Sequence, residues 1–400
     1  MAGHQFGKGR NMRTKTTIVA AAALLLGAAG AARADVFSMG DPNLKSLEFV
    51  TVGDPGNAPD TRPMAAGAGG HGSVPYTYRM GTYPVTAAEY AQFLNAVAWQ
   101  SDPFGLYNPS MAGGPGSAAC GITRTGSEGN YSYSTTLSGY AVNNSNFPVN
   151  YVSWGDAARF ANWLTNGQPT GTTEGAGTTE TGSYTLNGAM DDSNLMAVVR
   201  SAGARFVIPT EDEWYKAAYY DPNKPGGPGY WWYPTRSDTP PSNVLSVIGT
   251  NNANYGNPYY TDPTNILTEV GTFAGSPGPY GTFDMGGEVW EWNEANYSHG
   301  TYRGLRGGSW WEGPGAMIAS TFTGYTIYGN PSNDDDSIIG FRLAEVPEPA
   351  SLSLLAFGGI ALVLRRWRGR HWFPTVTSDH TVTQAITTDT ECVLMHSGLS

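Results

Sequence analysis

The feature that most constrains this chain is a helix-start signal that occurs three times. The signal is a capping box, in which a Ser or Thr and an acidic residue three positions later each accept a hydrogen bond from the other's backbone N–H. The boxes begin at Thr86, Ser153 and Thr210, and apolar residues recur at helical spacing after each. The strand-like segments that precede them are residues 76–80, 149–152 and 205–208. The sequence therefore predicts about three short helices, each entered from a short strand.

Composition indicates that long loops connect these elements. The chain has 53 Gly and 27 Pro, which favour turns, and only 14% charged residues, against about 25% in a typical protein. Its 23 Tyr and 12 Trp supply large apolar surfaces that can hold loops in place. We therefore expect a loop-rich globular protein. The Thr/Gly-rich residues 165–183 are predicted to be a mobile surface loop.

The amino-terminal segment is typical of a secretory signal peptide. Arg10, Arg13 and Lys15 precede an apolar run at residues 18–31, and the small residues at 32 and 34 suit a cleavage site. Residues 1–34 are therefore predicted to be removed during secretion. A retained membrane helix is the alternative, and the shortness of the run disfavours it.

The other end of the chain carries a second targeting pattern. Pro-Glu-Pro at 347–349 is followed by an uncharged apolar run at 350–364 and then by arginines up to Arg370. As a helix this run is about 22 Å long, short of the bilayer core of about 30 Å. The order resembles the bacterial PEP-CTERM sorting signal, here residues 347–370 with a transmembrane helix at 350–364. A plain carboxy-terminal anchor is the alternative.

The PEP-CTERM resemblance implies a route and a partner. An exosortase-type membrane enzyme would cut near the Pro-Glu-Pro after secretion through the inner membrane. The protein would be membrane-anchored transiently by the carboxy-terminal helix and then released to the cell surface or extracellular matrix. Such signals normally end at the arginines, whereas here residues 371–400 follow. That extension has no helical or strand period and is predicted to be disordered.

Charge and cysteine content exclude two further classes of protein. The net charge is −11, and no basic stripe remains once the two ends are removed, so we expect no nucleic-acid partner. Only two cysteines occur. Cys392 lies beyond the sorting signal, which leaves Cys120 alone in the mature chain and excludes a disulfide framework.

Six motifs in a fixed order indicate the family of the central region. They are MGTYPVT (80–86), PVNYVSW (148–154), IPTEDEW (208–214), DMGGEVWEW (284–292), RGGSW (306–310) and GFR (340–342). This series resembles the formylglycine-generating, or sulfatase-modifying-factor, family, and we assign the domain to residues 35–346. The resemblance implies an α+β, C-type-lectin-like fold with long loops and a small twisted sheet.

A calcium site is predicted at the fourth motif. Asp284 and Glu291 bracket a glycine turn, and two carboxylates with backbone carbonyls form the hard-oxygen set that Ca²⁺ prefers. The resemblance adds the carbonyls of Gly287 and Val289 as ligands. The alternatives are that Asp284 caps a turn and that Glu291 pairs with an arginine. Arg342 is expected to pair with Glu211 or Glu213.

The resemblance also implies a second calcium site. In the family it uses an Asn side chain with the next carbonyl, and then an Asp side chain with a carbonyl two residues on. Asn254 with Tyr255, and Asp262 with Thr264, match that pattern. Calcium is therefore the expected cofactor.

The resemblance does not extend to the family's oxidase chemistry. That chemistry needs two cysteines, five residues apart, whose thiolates bind copper. Counting from the fifth motif, those positions are Met317 and Phe322, and no cysteine lies between Cys120 and Cys392. We therefore do not expect copper, and we assign no catalytic residue. His71 and His299 have no neighbouring His or Cys, which also disfavours a zinc or iron site.

These observations predict a secreted, surface-sorted protein that acts as a non-catalytic binding or structural module. Its partner would be the envelope or an extracellular polysaccharide. The aromatic clusters at 230–233 and at Tyr255, Tyr259 and Tyr260 suit sugar stacking, or alternatively anchor loops. The alternative function is an oxidoreductase of the same superfamily with a divergent site, for which Glu312, Tyr325 and His299 are candidates.

Overall fold

The computed structural model describes residues 47–63, 70–113, 116–135, 144–256, 259–297, 302–317 and 336–347. The predicted signal peptide (1–34), transmembrane helix (350–364) and disordered extension (371–400) lie outside these ranges. Among the described residues no helix has the length and apolar character needed to cross a membrane. The chain divides after Pro349 into two units, and all the helices and strands named here belong to the first.

The three predicted helices form, and each begins with the predicted capping box. They are α1 (Ala87–Val97), α2 (Trp154–Thr165) and, after one further helix, α4 (Glu211–Tyr219). The unpredicted helix α3 (Asp192–Ala197) begins after Asp191, whose side chain accepts from the backbone N–H of Asn194. Each such cap stabilises its helix by about 1 kcal/mol because it satisfies N–H groups that have no intrahelical partner.

In the part of the chain that the structure describes, two small sheets hold most of the strands and two isolated hairpins hold the rest. The first sheet has the order β1 (Phe49–Val52), β2 (Tyr78–Gly81), β11 (Ala344–Glu345) and β5 (Phe206–Val207), with every pair antiparallel. The second has β10 (Ile339–Gly340) parallel to β8 (Trp290–Tyr297), which pairs antiparallel with β9 (Tyr302–Arg306). The hairpins are β3 (Thr123–Ser127) with β4 (Asn130–Ser134), and β6 (Tyr220–Asp221) with β7 (Gly229–Tyr230).

Two of the three predicted strands are present, and the third prediction is wrong. β2 and β5 lie within two residues of their predicted positions. Residues 149–152 form no strand because Tyr151 has φ +57°, a left-handed conformation that ends the extended run. Next to Tyr151, the side-chain amide of Asn150 donates hydrogen bonds to the backbone carbonyls of Ala118 (2.5 Å) and Ser337 (2.6 Å).

The core is built from aromatic side chains contributed by the helices. Phe93 of α1 lies 5.3 Å from Phe160 of α2 between ring centroids, and Phe341 packs edge-on against Phe160 at 5.5 Å. Edge-to-face contacts of this kind add about 0.5–1.5 kcal/mol to the burial of each pair. The short helices, the small sheets and the long connections between them confirm the predicted α+β, loop-rich arrangement.

The loop at residues 165–183 is more deeply packed than predicted. Thr179 and Glu180 are buried, and Glu180 pairs with the buried Arg159 of α2 at 2.7 Å. The Asn162 amide donates to the carbonyl of Thr179 at 2.6 Å. The end of this loop, from Thr178 to Ser183, is therefore packed on the core, and the prediction of a surface loop is wrong there.

Candidate functional site

The fourth motif forms a tight turn that leads into β8. Asp284 and Glu288 have φ of +56° and +63°, and Gly287 has φ of +82°. A Cβ atom on Gly287 would lie 2.0 Å from the carbonyl oxygen of Asn254, so the turn requires glycine. The backbone N–H of Glu288 donates to that same carbonyl at 2.8 Å. The turn thus brings the first halves of the two predicted calcium sites into direct contact.

Glu291 is committed to a buried ion pair. Its Oε2 accepts from Arg342 Nε at 2.6 Å and from Trp214 Nε1 at 2.6 Å, while its Oε1 accepts from Arg342 Nη2 at 2.7 Å. Both residues of the pair are almost wholly inaccessible to solvent. The arginine alternative therefore matches the contacts of Glu291, and its role as a calcium ligand stays a prediction. The prediction that Arg342 pairs with Glu211 or Glu213 was wrong, because its partner is Glu291.

The other two glutamates have arginines of their own. Glu211 pairs with Arg306, and Glu213 pairs with Arg200 at 3.0 Å. The pairs Glu211–Arg306 and Glu291–Arg342 join segments 95 and 51 residues apart, whereas Glu213 and Arg200 are 13 residues apart. Pairing of this kind depends on tertiary position, so the spacing of charges along the chain could not assign it.

Glu288 is a buried carboxylate that the sequence analysis missed. Its Oε1 accepts from the backbone N–H (2.7 Å) and hydroxyl (3.0 Å) of Thr268, and its Oε2 accepts from the Asn254 amide. Burial raises the pKa of Glu288 well above its usual range, and the charge of Asp284 raises it further. Asn254 Oδ1 is buried and has no hydrogen-bond partner in the described structure. The amide nitrogen of Asn254 thus faces the Glu288 carboxylate, while the oxygen of the same amide is buried without a partner.

The remaining predicted calcium ligands have other partners. Asp284 Oδ2 accepts from the backbone N–H of Gly271 at 2.6 Å. Asp262 caps its own turn, because Oδ1 accepts from the backbone N–H groups of Thr264 (2.8 Å) and Asn265 (3.1 Å). The Thr264 carbonyl accepts from Gly116 at 2.9 Å.

Two of the predicted ligands are the backbone carbonyls of Tyr255 and Val289, whose side chains lie in apolar surroundings. The Tyr255 ring is buried with Tyr233 and Met317, and Val289 is buried in an apolar cluster with Trp310. In the part of the chain that the structure describes, no three His, Cys, Asp or Glu side chains gather as a metal centre. Of the predicted set, the side chains of Asn254 and Asp284, joined by Glu288, offer the oxygen chemistry that suits calcium. The carboxylates of Glu291 and Asp262 accept hydrogen bonds from neighbouring donors, and their assignment to calcium stays a prediction.

The positions expected for the copper cysteines do not form a thiolate site. Met317 is buried beside Tyr233 and Tyr255, and its carbonyl accepts from Tyr219 Oη at 3.0 Å. Phe322 lies outside the described residues. Cys120 is buried and free, and burial raises the pKa of its thiol to about 11.

Of the three candidates for a divergent catalytic site, Glu312 alone lies among the described residues. Glu312 accepts from Trp290 Nε1 at 3.1 Å and from the hydroxyl and backbone N–H of Ser309. His299 and Tyr325 lie outside the described residues. Glu312 therefore stabilises the turn of the fifth motif.

The first aromatic cluster, residues 230–233, consists mainly of loop anchors. Tyr230 Oη donates to the carbonyls of Ala58 (2.9 Å) and Gly72 (3.0 Å). Trp231 Nε1 donates to Asp221 at 3.1 Å, and Tyr233 is buried. Trp232 is partly exposed beneath the guanidinium of Arg62.

A second group of rings does reach solvent, and we call it the aromatic surface. It comprises Tyr259, Tyr260 and Trp311, which are 79%, 36% and 59% exposed. Trp310 lies beneath, with its ring centroid 5.7 Å from that of Tyr260. The backbone N–H of Trp310 donates to the carbonyl of Glu288 at 2.9 Å, which fixes this surface to the turn at Glu288.

Comparison with known proteins identifies the family. The model of the sulfatase-modifying factor enzyme 1-like domain matches residues 57–346, which is most of the chain. The chain belongs to the sulfatase-modifying factor family. The PEP-CTERM protein-sorting motif matches residues 345–368. Both resemblances seen in the sequence are confirmed, and the sorting motif indicates secretion, exosortase processing and delivery to the cell surface.

Solved structures with a similar fold were also found. Treponema denticola variable protein 1 is 19% identical, with 76% of this chain and 97% of that chain covered and a TM-score of 0.43. CarF is 20% identical over 75% of this chain and 98% of its own, with a TM-score of 0.40. PvdO from Pseudomonas aeruginosa is 18% identical over 75% and 92%, with a TM-score of 0.35. A search of curated proteins returned no match.

Proposed function

We propose that this sulfatase-modifying factor domain is a non-catalytic binding module that holds polysaccharide at the cell surface or in the extracellular matrix. The observation that carries the proposal is the aromatic surface. Tyr260 and Trp311 have ring centroids 6.4 Å apart with their planes tilted by 37°, and both rings are accessible. Such rings can stack against the apolar faces of successive sugar units.

The sequence supports the absence of the family's oxidase chemistry. No cysteine lies between Cys120 and Cys392, so no thiolate pair is available for copper at or near residues 317 and 322. The domain ending at Pro349 should therefore leave a sulfatase-type cysteine peptide unoxidised when copper is added. Formation of formylglycine in that assay would refute a non-catalytic role.

The binding role is tested with the chain of residues 35–349 and a panel of neutral polysaccharides. We expect Trp311→Ala to weaken binding by about 1–2 kcal/mol, or about five- to thirtyfold in Kd. Trp232→Ala is the matched control, because Trp232 is also partly exposed but lies outside the aromatic surface. Equal binding by wild type and Trp311→Ala would remove the basis of the proposal.

We further propose that calcium stabilises the turn beneath this surface. Asn254 Oδ1 and the carboxylates of Asp284 and Glu288 would supply the ligands, and calcium would displace the proton that burial favours on Glu288. Calcium should raise the Tm of the wild type and of Asp262→Asn, but not that of Glu288→Gln. A Tm that is the same in calcium and in chelator would contradict this.

A further inference from the structure

A second exposed surface lies in the loop that precedes the turn, and it is aliphatic. Val244, Leu245, Val247 and Ile248 are 62%, 51%, 61% and 87% exposed. Four large aliphatic side chains within five residues form the kind of contiguous apolar patch that marks an interaction site. We call residues 244–248 the aliphatic loop.

The aliphatic loop is held in shape by its own hydrogen bonds. Ser242 donates its backbone N–H to Asn251 at 2.9 Å, and the Asn252 amide donates to the carbonyl of Val244 at 2.8 Å. The backbone N–H of Gly249 donates to the Ser246 hydroxyl at 3.0 Å. Part of the backbone polarity is therefore satisfied internally, which lowers the cost of leaving water.

The loop and its neighbours along the sequence carry no charge. No Asp, Glu, Lys or Arg occurs between Asp238 and Asp262. The Asn243 amide donates to the carbonyl of Tyr259 at 2.9 Å, so the loop adjoins an exposed tyrosine. Exposed aliphatic side chains beside a tyrosine suit a bilayer interface, where tyrosine rings lie at headgroup depth.

We propose that the aliphatic loop inserts into a lipid bilayer with neutral headgroups. An uncharged surface favours such a bilayer, and the net charge of −11 would oppose an anionic one. Sugars present hydroxyl groups that these four side chains cannot bond, so polysaccharide is a poorer occupant. The inference rests on the proposed function only for its cell-surface location.

The sorting signal relates the loop to membrane contact before and after the tail is removed. The signal matches residues 345–368 and begins at the last strand, β11, without an intervening linker. The precursor would then contact the membrane through two apolar segments. After the tail is removed, the loop would keep the module loosely on the membrane while the aromatic surface holds polysaccharide.

Flotation with phosphatidylcholine vesicles tests this inference. The chain of residues 35–349 is suitable because the described unit ends at Pro349. We expect the wild type to float with the vesicles and Ile248→Asp to lose binding by about tenfold or more. Val199→Asp is the matched control, since Val199 is 76% exposed elsewhere on the domain, and it should float like wild type. Unchanged thermal unfolding of each variant would show that the fold is intact.

Three outcomes would overturn the inference. They are a wild type that stays free of vesicles, an Ile248→Asp variant that floats equally well, and a dimer that Ile248→Asp dissociates while no vesicle binding occurs. The last outcome would assign the loop to a second copy of this chain. Failure of polysaccharide binding is separable, because Trp311→Ala should lose polysaccharide and keep vesicle binding.

Discussion

Replacing Glu291 tests which of two roles this residue has. In the structure its carboxylate receives two hydrogen bonds from Arg342 and one from Trp214, all between 2.6 and 2.7 Å. Glu291→Gln keeps the size of the side chain and removes its charge. The guanidinium of Arg342 would then stay buried without a counter-charge, with neutral acceptors only: the glutamine oxygen and the carbonyls of Gly81 (2.9 Å) and Phe283 (2.9 Å).

The expected loss is large because the pair is fully buried. Removing one partner of such a pair typically destabilises a protein by about 3–5 kcal/mol, since the other charge is left uncompensated. Against a total stability of about 5–15 kcal/mol, that is a substantial fraction. Arg342→Met should cost a similar amount, and the double variant should cost less than the sum of the two.

The assay is denaturant unfolding of residues 35–349 in calcium and, separately, in chelator. An ion-pair role predicts the same loss of unfolding free energy for Glu291→Gln in both media. A loss seen only in calcium would show that Glu291 is a metal ligand and would refute the reasoning. Additivity of Glu291→Gln and Arg342→Met would also refute it, because paired residues must couple.

Three further predictions use the same protein. Burial raises the folded-state pKa of Glu288, so the free energy of unfolding should fall as the pH rises above about 4.5, where this carboxyl ionises in the unfolded chain. In chelator, Glu288→Gln should therefore increase stability at neutral pH and have no effect well below pH 4.5. Denaturant unfolding at both pH values measures this. The buried thiol of Cys120, with a pKa of about 11, should resist alkylation in the native chain and react rapidly in denaturant, and Cys120→Ser should cost about 1–2 kcal/mol because it buries a hydroxyl. Intact-mass analysis of surface-extracted protein should give a chain that ends near Pro349, and a species that retains Cys392 would indicate a permanent anchor.

The sequence predicted the helices well because their start signals are local. Thr86 with Glu89 and Thr210 with Glu213 form both bonds of the capping box, as their spacing requires. The same local logic found the glycine turn. Helix α3 escaped prediction because six residues provide less than two turns of periodicity, even though Asp191 caps it.

Most of the predictions that failed depended on partners distant in the sequence, and one failed on a local backbone conformation. Glu180 lies in a polar Thr/Gly-rich stretch and is buried only because Arg159 meets it from α2. Tyr151 interrupts an apolar strand-like run because its backbone is left-handed, which no neighbouring residue signals. The assignment of Glu211, Glu213 and Glu291 to their arginines likewise needed the tertiary structure.

The two glutamates of the fourth motif show how backbone conformation divides similar residues between different tasks. Glu291 lies in strand β8 and points into the core, where a guanidinium neutralises it. Glu288 lies three residues earlier at φ +63°, and the hydrogen-bond donors around its carboxylate are an amide, a hydroxyl and a backbone N–H, all neutral. Burial opposes the charge of Glu288 and raises its pKa, the neutral donors offset this only in part, and no guanidinium neutralises it as Arg342 neutralises Glu291. We therefore propose Glu288 as the cation ligand of this turn, which the backbone N–H of Trp310 joins to the aromatic surface through the Glu288 carbonyl.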